Sequence, residues 1–303
     1  MKRLAIIKYT ISIIILGLLL VTIKPSKILA VLNLINLKLI LIIIILAFAL
    51  ILLTTINLKI FISPYIKKIS FIEFFKKYLV TWSISSFTPG KIGDFSLSYL
   101  LKDKISPEES IAALILDKLI TLIVLSVIGI IGVFYILPKE YAYLVTISLI
   151  FIIGLVVYFI NSKKIKNYIA NKFFKKYTIQ IENFEKTIKE YIRNHKKLII
   201  INAIITLIIW TTSSSIIYIS LHLFNQEIPF ITTVFITCLG NLSFLVPITI
   251  NGLGLREAIN IFFFEKYFIP KEFTLTIFLL ITVLNYLFAF IFIQLFMTEK
   301  TIN

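Results

Sequence analysis

The sequence predicts an all-α polytopic membrane protein built as an inverted repeat. Hydrophobic residues make up 59% of the 303 residues, and the mean hydropathy is +1.01. A single soluble core cannot bury that much apolar surface, and several runs approach the roughly 20 residues that span a bilayer. Two further apolar segments are interrupted by proline, glycine and charged residues, and Gly90 and Gly252 within them lie 162 residues apart.

Hydropathy predicts six full transmembrane helices. They are expected at residues 4–23, 37–58, 111–137, 141–160, 198–221 and 273–297. The first run follows Met1, Lys2 and Arg3, as the apolar part of a signal peptide would, but it is long and contains Lys8. These two properties favour a first helix that is retained.

Two helix starts are marked in the sequence. Ser106 precedes Pro107, and Glu109 follows three residues after the serine, which is the pattern of a capping box. Pro270 stands 163 residues after Pro107 and opens the corresponding helix of the second half. We therefore expect helices to begin at both prolines.

The charge distribution predicts the topology. Between Asn161 and Lys197 the chain has eleven Lys and Arg against three Glu, a net charge of +8. Such loops lie on the cytoplasmic side of a membrane. With six spans, both the N-terminus and the C-terminus are then expected on the cytoplasmic side. The protein is expected to be a multi-pass protein of the plasma membrane. We expect no nucleic-acid partner, because no recognition fold accompanies the basic charge.

The basic insertion, at about 163–197, contains apolar residues at helical spacing. They are Ile181, Phe184, Ile188 and Tyr191, and Lys186, Lys189 and Arg193 lie off their face. This pattern predicts an amphipathic helix on the inner membrane surface, where anionic lipid is its expected partner. The alternative is a solvated linker helix.

The same topology constrains the two interrupted segments, at 71–101 and 228–268. Each must leave and return on one side of the membrane, as a re-entrant pair of helices joined by a break. The chain is expected to form one membrane domain, 1–303, with a first repeat at about 1–137 and a second, inverted repeat at about 141–303. The alternative is eight plain transmembrane helices.

The two interruptions form the candidate binding site. Unwound backbone at membrane depth persists only where it lines a cavity. Helix N-termini carry partial positive charge and free N–H groups, so they favour a phosphate or carboxylate, and glycine allows that ligand to approach. The candidate substrate-binding residues are Pro89, Gly90, Lys91, Gly93, Asp94, Asp117, Lys118, Asn241, Pro247, Asn251, Gly252, Gly254, Arg256 and Glu257.

The charged residues in the two breaks have two interpretations. Lys91 and Arg256 are suited to bind a phosphate, while Asp94 and Glu257 are suited to hold those cations or to meet a headgroup amine. The alternative is that Lys91 with Asp94, and Arg256 with Glu257, only neutralise each other.

The third span adds a further charged pair. Asp117 and Lys118 lie about 15 Å along their helix from Pro107, at a rise of 1.5 Å per residue. Being adjacent, they are expected to point in different directions rather than pair with each other. With one Cys and two His in the chain, we expect no metal, no cofactor and no catalytic residue.

The interruptions resemble the motifs of a known family. Residues 89–94 resemble the Pro-x-x-x-Gly-Glu motif, and residues 247–257 the Pro-x-x-x-x-Gly-x-Gly-x-x-Glu motif, of the lysylphosphatidylglycerol synthase transmembrane, or flippase-like, family. Asp117 and Lys118 look like the acidic-basic pair of its following helix. Asp94 stands where the family usually has Glu, and Thr121 where it often has a second acid. The likeness covers nearly the whole chain.

The resemblance implies a bacterial or archaeal membrane protein of lipid-translocation, lipid-linked glycan or aminoacyl-lipid pathways. We expect the stand-alone membrane domain, without a synthase domain and with a partner synthase in trans. It would translocate a phospholipid or a lipid-linked, phosphate-bearing substrate such as a lipid-linked glycan between leaflets, without acting as an enzyme. The alternatives are an integral-membrane transferase acting on a lipid phosphate, and a structural partner of a lipid or glycan synthase.

Overall fold

The computed structural model describes residues 2–88, 91–161, 178–244 and 249–296. Within these ranges the regular structure is helical, which confirms the predicted all-α class. The helices are α1 Lys2–Ile23, α2 Pro25–Leu32, α3 Leu37–Ile62, α4 Phe71–Ser86, α5 Ser96–Leu100, α6 Pro107–Ile136, α7 Lys139–Asn161, α8 Thr178–Asn194, α9 Lys196–Leu223, α10 Phe230–Asn241, α11 Leu255–Glu265 and α12 Lys271–Phe296.

Four of these helices, α3, α6, α9 and α12, are long and apolar enough to cross a membrane. They coincide with four of the predicted spans, and α7 coincides with the span expected at 141–160. The first predicted span, at residues 4–23, coincides with α1, but the short helix that follows it was not predicted. The chain bends by 83° after α1 and continues as α2, because Lys24 has a φ of 70° and Pro25 starts a new helix. The protein is therefore a polytopic membrane protein with a bent first segment.

The predicted helix start at Ser106 is confirmed. The Ser106 hydroxyl accepts a hydrogen bond from the Glu109 N–H at 3.3 Å and donates to the Glu109 carboxylate at 2.8 Å. The helix α12 starts directly after Pro270, as expected. Asn36 caps α3 in the same way, accepting from the Leu39 N–H at 2.9 Å.

The first interrupted segment folds back on itself. The helix α4 has 16 residues, about 24 Å at 1.5 Å per residue, which is less than the thickness of the hydrocarbon core. After the break, a short 3-10 turn, Ile92–Phe95, leads into α5. The Lys67 N–H donates to the Lys104 carbonyl at 2.8 Å, and the Lys77 ammonium donates to the Leu100 carbonyl at 2.6 Å. The two ends of the segment therefore lie side by side.

The second interrupted segment is also a pair of helices. The helix α10 continues as a 3-10 turn, Leu242–Phe244, and α11 begins after the break. The two helices pack closely where Gly240 faces Asn260, because the Asn260 side chain occupies the place of a Cβ at position 240. Both predicted interruptions thus separate two packed helices.

One face of α1 contacts both breaks. The Tyr9 hydroxyl donates to the Phe87 carbonyl at 3.0 Å, next to the first break. The Ser12 hydroxyl accepts from the Ile250 N–H at 2.9 Å, in the second break, and this hydrogen bond is buried. Ile15 packs against Gly254, where a Cβ would lie 2.9 Å from the Ile15 Cβ. The first helix therefore joins the two breaks.

The helix α8 lies in the predicted basic insertion and is attached by Tyr191. This side chain is fully buried, and its hydroxyl donates to the Phe61 carbonyl at 2.6 Å. Burial raises the pKa of Tyr191 above the usual value of a tyrosine. The cations Lys186, Lys189 and Arg193 are exposed, as the predicted amphipathic helix requires. Residues 162–177 and the side chains of Ile181 and Phe184 lie outside the described residues.

Candidate functional site

The two breaks meet at one cavity. Its volume is about 220 Å³, and it lies between α3, α4, α6, α9 and α12. Five charged side chains line it, and they come from the first break, from α6 and from α11. They are Lys91, Asp94, Asp117, Lys118 and Arg256. Charged groups are costly among membrane-spanning helices, so their convergence marks this cavity as the candidate site.

Most of the predicted site residues lie at this cavity. Asn241 and Asn251 line it together with the five charged residues. The backbone around the cavity includes Gly93, Gly252 and Gly254. Glu257 accepts a hydrogen bond from the Gly254 N–H. Pro89, Gly90 and Pro247 lie outside the described residues.

Gly93 allows the first break to pack tightly on α4. A Cβ at this position would lie 2.5 Å from the Ser85 Cα and 2.6 Å from the Ser85 nitrogen, and backbone atoms cannot move away as a flexible side chain can. The Gly93 N–H donates to the Thr88 hydroxyl at 2.8 Å. Gly93 therefore fixes the path of the chain towards Asp94.

Gly254 shapes the second break and starts α11. Its φ of +83° is one that side-chain-bearing residues rarely adopt. Its N–H donates to the Glu257 carboxylate at 2.6 Å. Glu257 thereby caps the first turn of α11, where a negative charge is favoured by the helix dipole.

Lys118 connects the first break to α6. Its ammonium nitrogen lies 2.6 Å from Asp94 Oδ2 and 3.5 Å from Asp117 Oδ2. The expectation that Asp117 and Lys118 would not pair is wrong, because the long lysine side chain can turn back towards its neighbour. The alternative in which Lys91 neutralises Asp94 is also not the observed pairing.

Asp117 is held from the opposite helix. The Asn202 amide on α9 donates to Asp117 Oδ1 at 2.9 Å, and both residues are buried. The cluster of Asp94, Asp117 and Lys118 contains two carboxylates and one ammonium. When all three groups are ionised, it carries one unit of negative charge that no group within the cluster balances.

Arg256 is neutralised by its neighbour. The guanidinium donates through Nε to Glu257 Oε1 at 2.9 Å and also pairs with that oxygen through Nη2. Nη2 additionally donates to the Thr282 hydroxyl at 2.8 Å. Phe244 and Phe278 lie within 5.3 Å and 4.9 Å of the guanidinium carbon, measured to the ring centroids. The predicted pairing of Arg256 with Glu257 is therefore observed.

Lys91 has a different environment. Its ammonium lies 4.9 Å from the ring centroid of Phe244 and 5.9 Å from that of Trp210. No carboxylate of the described chain lies within 4.0 Å of it. Lys91 is thus a cation that faces the cavity against aromatic rings rather than against an acid.

Several cavity residues were not predicted from the sequence. Asn57 lines the cavity from α3 and is buried, and its amide donates to the Thr206 hydroxyl on α9 at 3.3 Å. Its side-chain oxygen has no hydrogen-bond partner among the described residues. An Asn within a strongly apolar span was the available signal. Trp210 and Phe244 gave no comparable signal, because aromatic residues occur throughout the chain.

The acidic residues do not form a metal cluster in the described ranges. No group of three or more His, Cys, Asp or Glu side chains is placed there to hold a metal ion. The cavity brings together three cations and two anions, an arrangement suited to binding an ionic group.

Comparison with known proteins confirms the resemblance to the family named above. The model of a family described as the lysylphosphatidylglycerol synthase TM region matches residues 5–293. The match includes both breaks and every residue that lines the cavity. Comparison with curated proteins finds no match.

Proposed function

The chain belongs to the family of the lysylphosphatidylglycerol synthase transmembrane region, and on this premise we propose that it is a flippase-like protein. It moves a phospholipid, or another lipid that carries a phosphate, between the leaflets without changing it chemically. The family has a lipid-related membrane function, and translocation is the role that the cavity supports best.

The meeting of the two breaks at one charged cavity is the observation that carries this proposal. Lys91 comes from the first break and Arg256 from the second, and both line the same space. A translocating protein must hide the polar headgroup while it crosses the hydrocarbon region, where an unsolvated charge is costly. A cavity with fixed ionic groups between spanning helices meets that requirement.

The proposal includes two re-entrant segments in an inverted repeat, at about 1–137 and 141–303. The hydrogen bond between Lys67 and Lys104 supports a return of the first segment to its starting side. Inverted repeats around a central site are a common basis of alternating access, in which each repeat in turn opens towards one leaflet.

The proposed setting is the plasma membrane of a prokaryote, with both chain termini in the cytoplasm. The exposed cations of α8 would then face the inner leaflet and contact anionic lipid. A lipid or glycan synthase acting in trans would supply the substrate. These assignments follow from the charge distribution and from the family.

Lipid movement in proteoliposomes tests the proposal. The purified protein is reconstituted with phospholipids labelled on an acyl chain, and the fraction of label reached by a membrane-impermeant quencher is followed over time. Protein-free vesicles supply the background rate. We expect label to cross faster with the protein, and mass spectrometry should recover the lipid unchanged.

Lys91→Gln is the informative variant. Lys91 forms no ion pair with an acid among the described residues, so its loss should not disturb folding, but it should slow translocation about tenfold or more. Lys102→Gln is the control, because Lys102 is exposed and lies outside the cavity. Movement at the background rate by the unmodified protein would refute the proposal, and a chemically altered lipid would favour the transferase.

A further inference from the structure

The cavity presents one unbalanced negative group and one unbalanced positive group. Asp94, Asp117 and Lys118 together carry one excess negative charge. Lys91 lacks an acidic partner in the described chain. Arg256 and Glu257 cancel each other. Once the observed pairs are taken into account, the cavity therefore has the charge pattern of a site for a dipolar ion.

The negative part of the cavity also has free acceptor capacity. Asn57 lines the cavity, is buried, and has an amide oxygen without a hydrogen-bond partner among the described residues. Its amide contacts Thr206, which lies one helical turn from Asn202, the residue that holds Asp117. A ligand with several N–H donors and a positive charge would satisfy both the amide oxygen and the excess carboxylate.

The positive part favours an anion. Lys91 has a left-handed φ of 53°, which sets its position immediately before the turn that carries Asp94. Among the described residues its ammonium lies against the rings of Phe244 and Trp210, and such contacts are weaker than a charge-assisted hydrogen bond to a phosphate oxygen. A phosphate that enters the cavity therefore gains an interaction there without breaking an existing ion pair.

The size of the cavity limits the ligand. Its volume of about 220 Å³ is below the roughly 300–1,000 Å³ of pockets that enclose drug-sized molecules. It is large enough for a phosphate with a short amine, whereas an oligosaccharide would extend beyond it. Acyl chains must remain outside, against the apolar helix surfaces.

From these observations we infer that the substrate is a phospholipid with a small zwitterionic head. Its phosphate binds at Lys91, and its ammonium binds at Asp94, Asp117 and the Asn57 oxygen. This inference rests on the proposed translocation, and it specifies the chemical class of lipid that the cavity selects. A lipid-linked glycan is disfavoured because its sugars would extend beyond this cavity, and a purely anionic headgroup leaves the negative part of the cavity without a partner.

The test compares three acyl-labelled lipids in the same proteoliposomes. They are phosphatidylethanolamine, phosphatidylglycerol, and phosphatidylethanolamine whose amine has been acetylated. We expect phosphatidylethanolamine to move about tenfold faster than either of the others, because only it carries the ammonium. Equal rates for all three would overturn the inference and leave the proposed translocation standing. No movement of any lipid would refute the translocation itself.

Asp117→Asn tests the placement of the ammonium. It removes the excess negative charge and leaves Lys118 paired with Asp94 at 2.6 Å, so the protein should remain folded, as a monodisperse elution profile would verify. The preference for phosphatidylethanolamine should then disappear. Asp103→Asn is the matched control, because Asp103 is exposed and outside the cavity. A preference that persists in Asp117→Asn contradicts the assignment.

Asn57→Leu provides an independent variant. The leucine side chain has the same branching as asparagine, although it is bulkier, and it can neither accept nor donate a hydrogen bond; the charge does not change. The preference for phosphatidylethanolamine over phosphatidylglycerol should fall several-fold. An equal loss for both lipids would show that Asn57 serves packing and does not contact the ammonium.

Discussion

The ammonium group of Lys118 lies 2.6 Å from the carboxylate of Asp94, so that an ion pair joins α6 to the turn that follows α4. Both groups are largely withdrawn from solvent, with 26% and 13% of their side-chain surfaces exposed. Two charges in such surroundings stay ionised only when they balance each other. The first break is therefore held in place by electrostatics as well as by the tight contact at Gly93.

Removing the lysine should destabilise the protein strongly. Lys118→Met leaves Asp94 and Asp117 without a cation, and the loss of one partner of a buried pair costs about 3–5 kcal/mol. Lys271→Met is the control, because Lys271 and its partner Glu265 are 50% and 40% exposed, and such pairs contribute at most about 1 kcal/mol. Thermal stability in detergent measures both. Similar small shifts in the two variants would show that the buried pair is not needed for folding.

Gly93→Ala should disrupt the first break. The added methyl group would meet the backbone of Ser85 at 2.5 Å, so either α4 or the turn must move. We expect a clear loss of thermal stability and of folded protein. Gly17→Ala provides the comparison, since nothing lies within 4 Å of a Cβ at that position. If both alanine variants fold equally well, Gly93 does not pack closely against the backbone of Ser85.

Ser12→Ala should weaken the attachment of α1 to the second break. It leaves the buried Ile250 N–H without an acceptor, which costs about 1–3 kcal/mol. Ser148→Ala is the control, because the Ser148 side chain is exposed and its hydroxyl donates to the Leu144 carbonyl of its own helix. Thermal stability should fall in the first variant and stay near the parent value in the second. Equal effects would mean that the contact with Ile250 contributes nothing.

The attachment of α8 should depend on pH through Tyr191. Burial favours the neutral phenol and raises its pKa. Its contribution to stability is therefore fully present below the unfolded-state pKa of about 10 and decreases as the pH rises above it. Tyr191→Phe should lose about 0.5–1.5 kcal/mol at pH 8, from the missing hydrogen bond to Phe61.

The same variant isolates this pH dependence. The difference in thermal stability between the parent and Tyr191→Phe should shrink between pH 8 and pH 10.5. Over this range the phenol of the parent ionises in the unfolded state, while burial keeps it neutral in the folded state. Tyr143→Phe, at an exposed position on α7, should match the parent at both values. A difference that stays constant with pH would show that the pKa of Tyr191 is the same in the folded and unfolded states, so that burial does not raise it.

The positions of the spans and of the breaks were predictable from local sequence. Long apolar runs have few ways to satisfy their backbone other than as helices, and prolines and glycines end those helices at defined residues. Ser106 and Pro270 marked their helix starts for the same reason. The bend at Lys24 was missed, although Pro25 at the start of α2 was a local signal for it.

The partners of the charged residues were less predictable. Sequence proximity suggested that Lys91 would neutralise Asp94, whereas Lys118 on α6 does so. Such a pairing depends on how α6 packs against the first break, and that packing is a tertiary property. Arg256 and Glu257 were paired correctly because both lie in the first turn of one helix. The contribution of Asn57 likewise depends on which face of α3 meets α9.

The contacts of α1 place a limit on how the two halves can move. Tyr9 is bonded to the carbonyl of Phe87 and Ser12 to the amide of Ile250, and these residues are only one turn apart on a rigid rod. If the two breaks move apart further than these two hydrogen bonds can stretch, at least one of the bonds must break and α1 must separate from that break. The N-terminal helix thereby sets the distance over which the halves can part while both bonds remain intact.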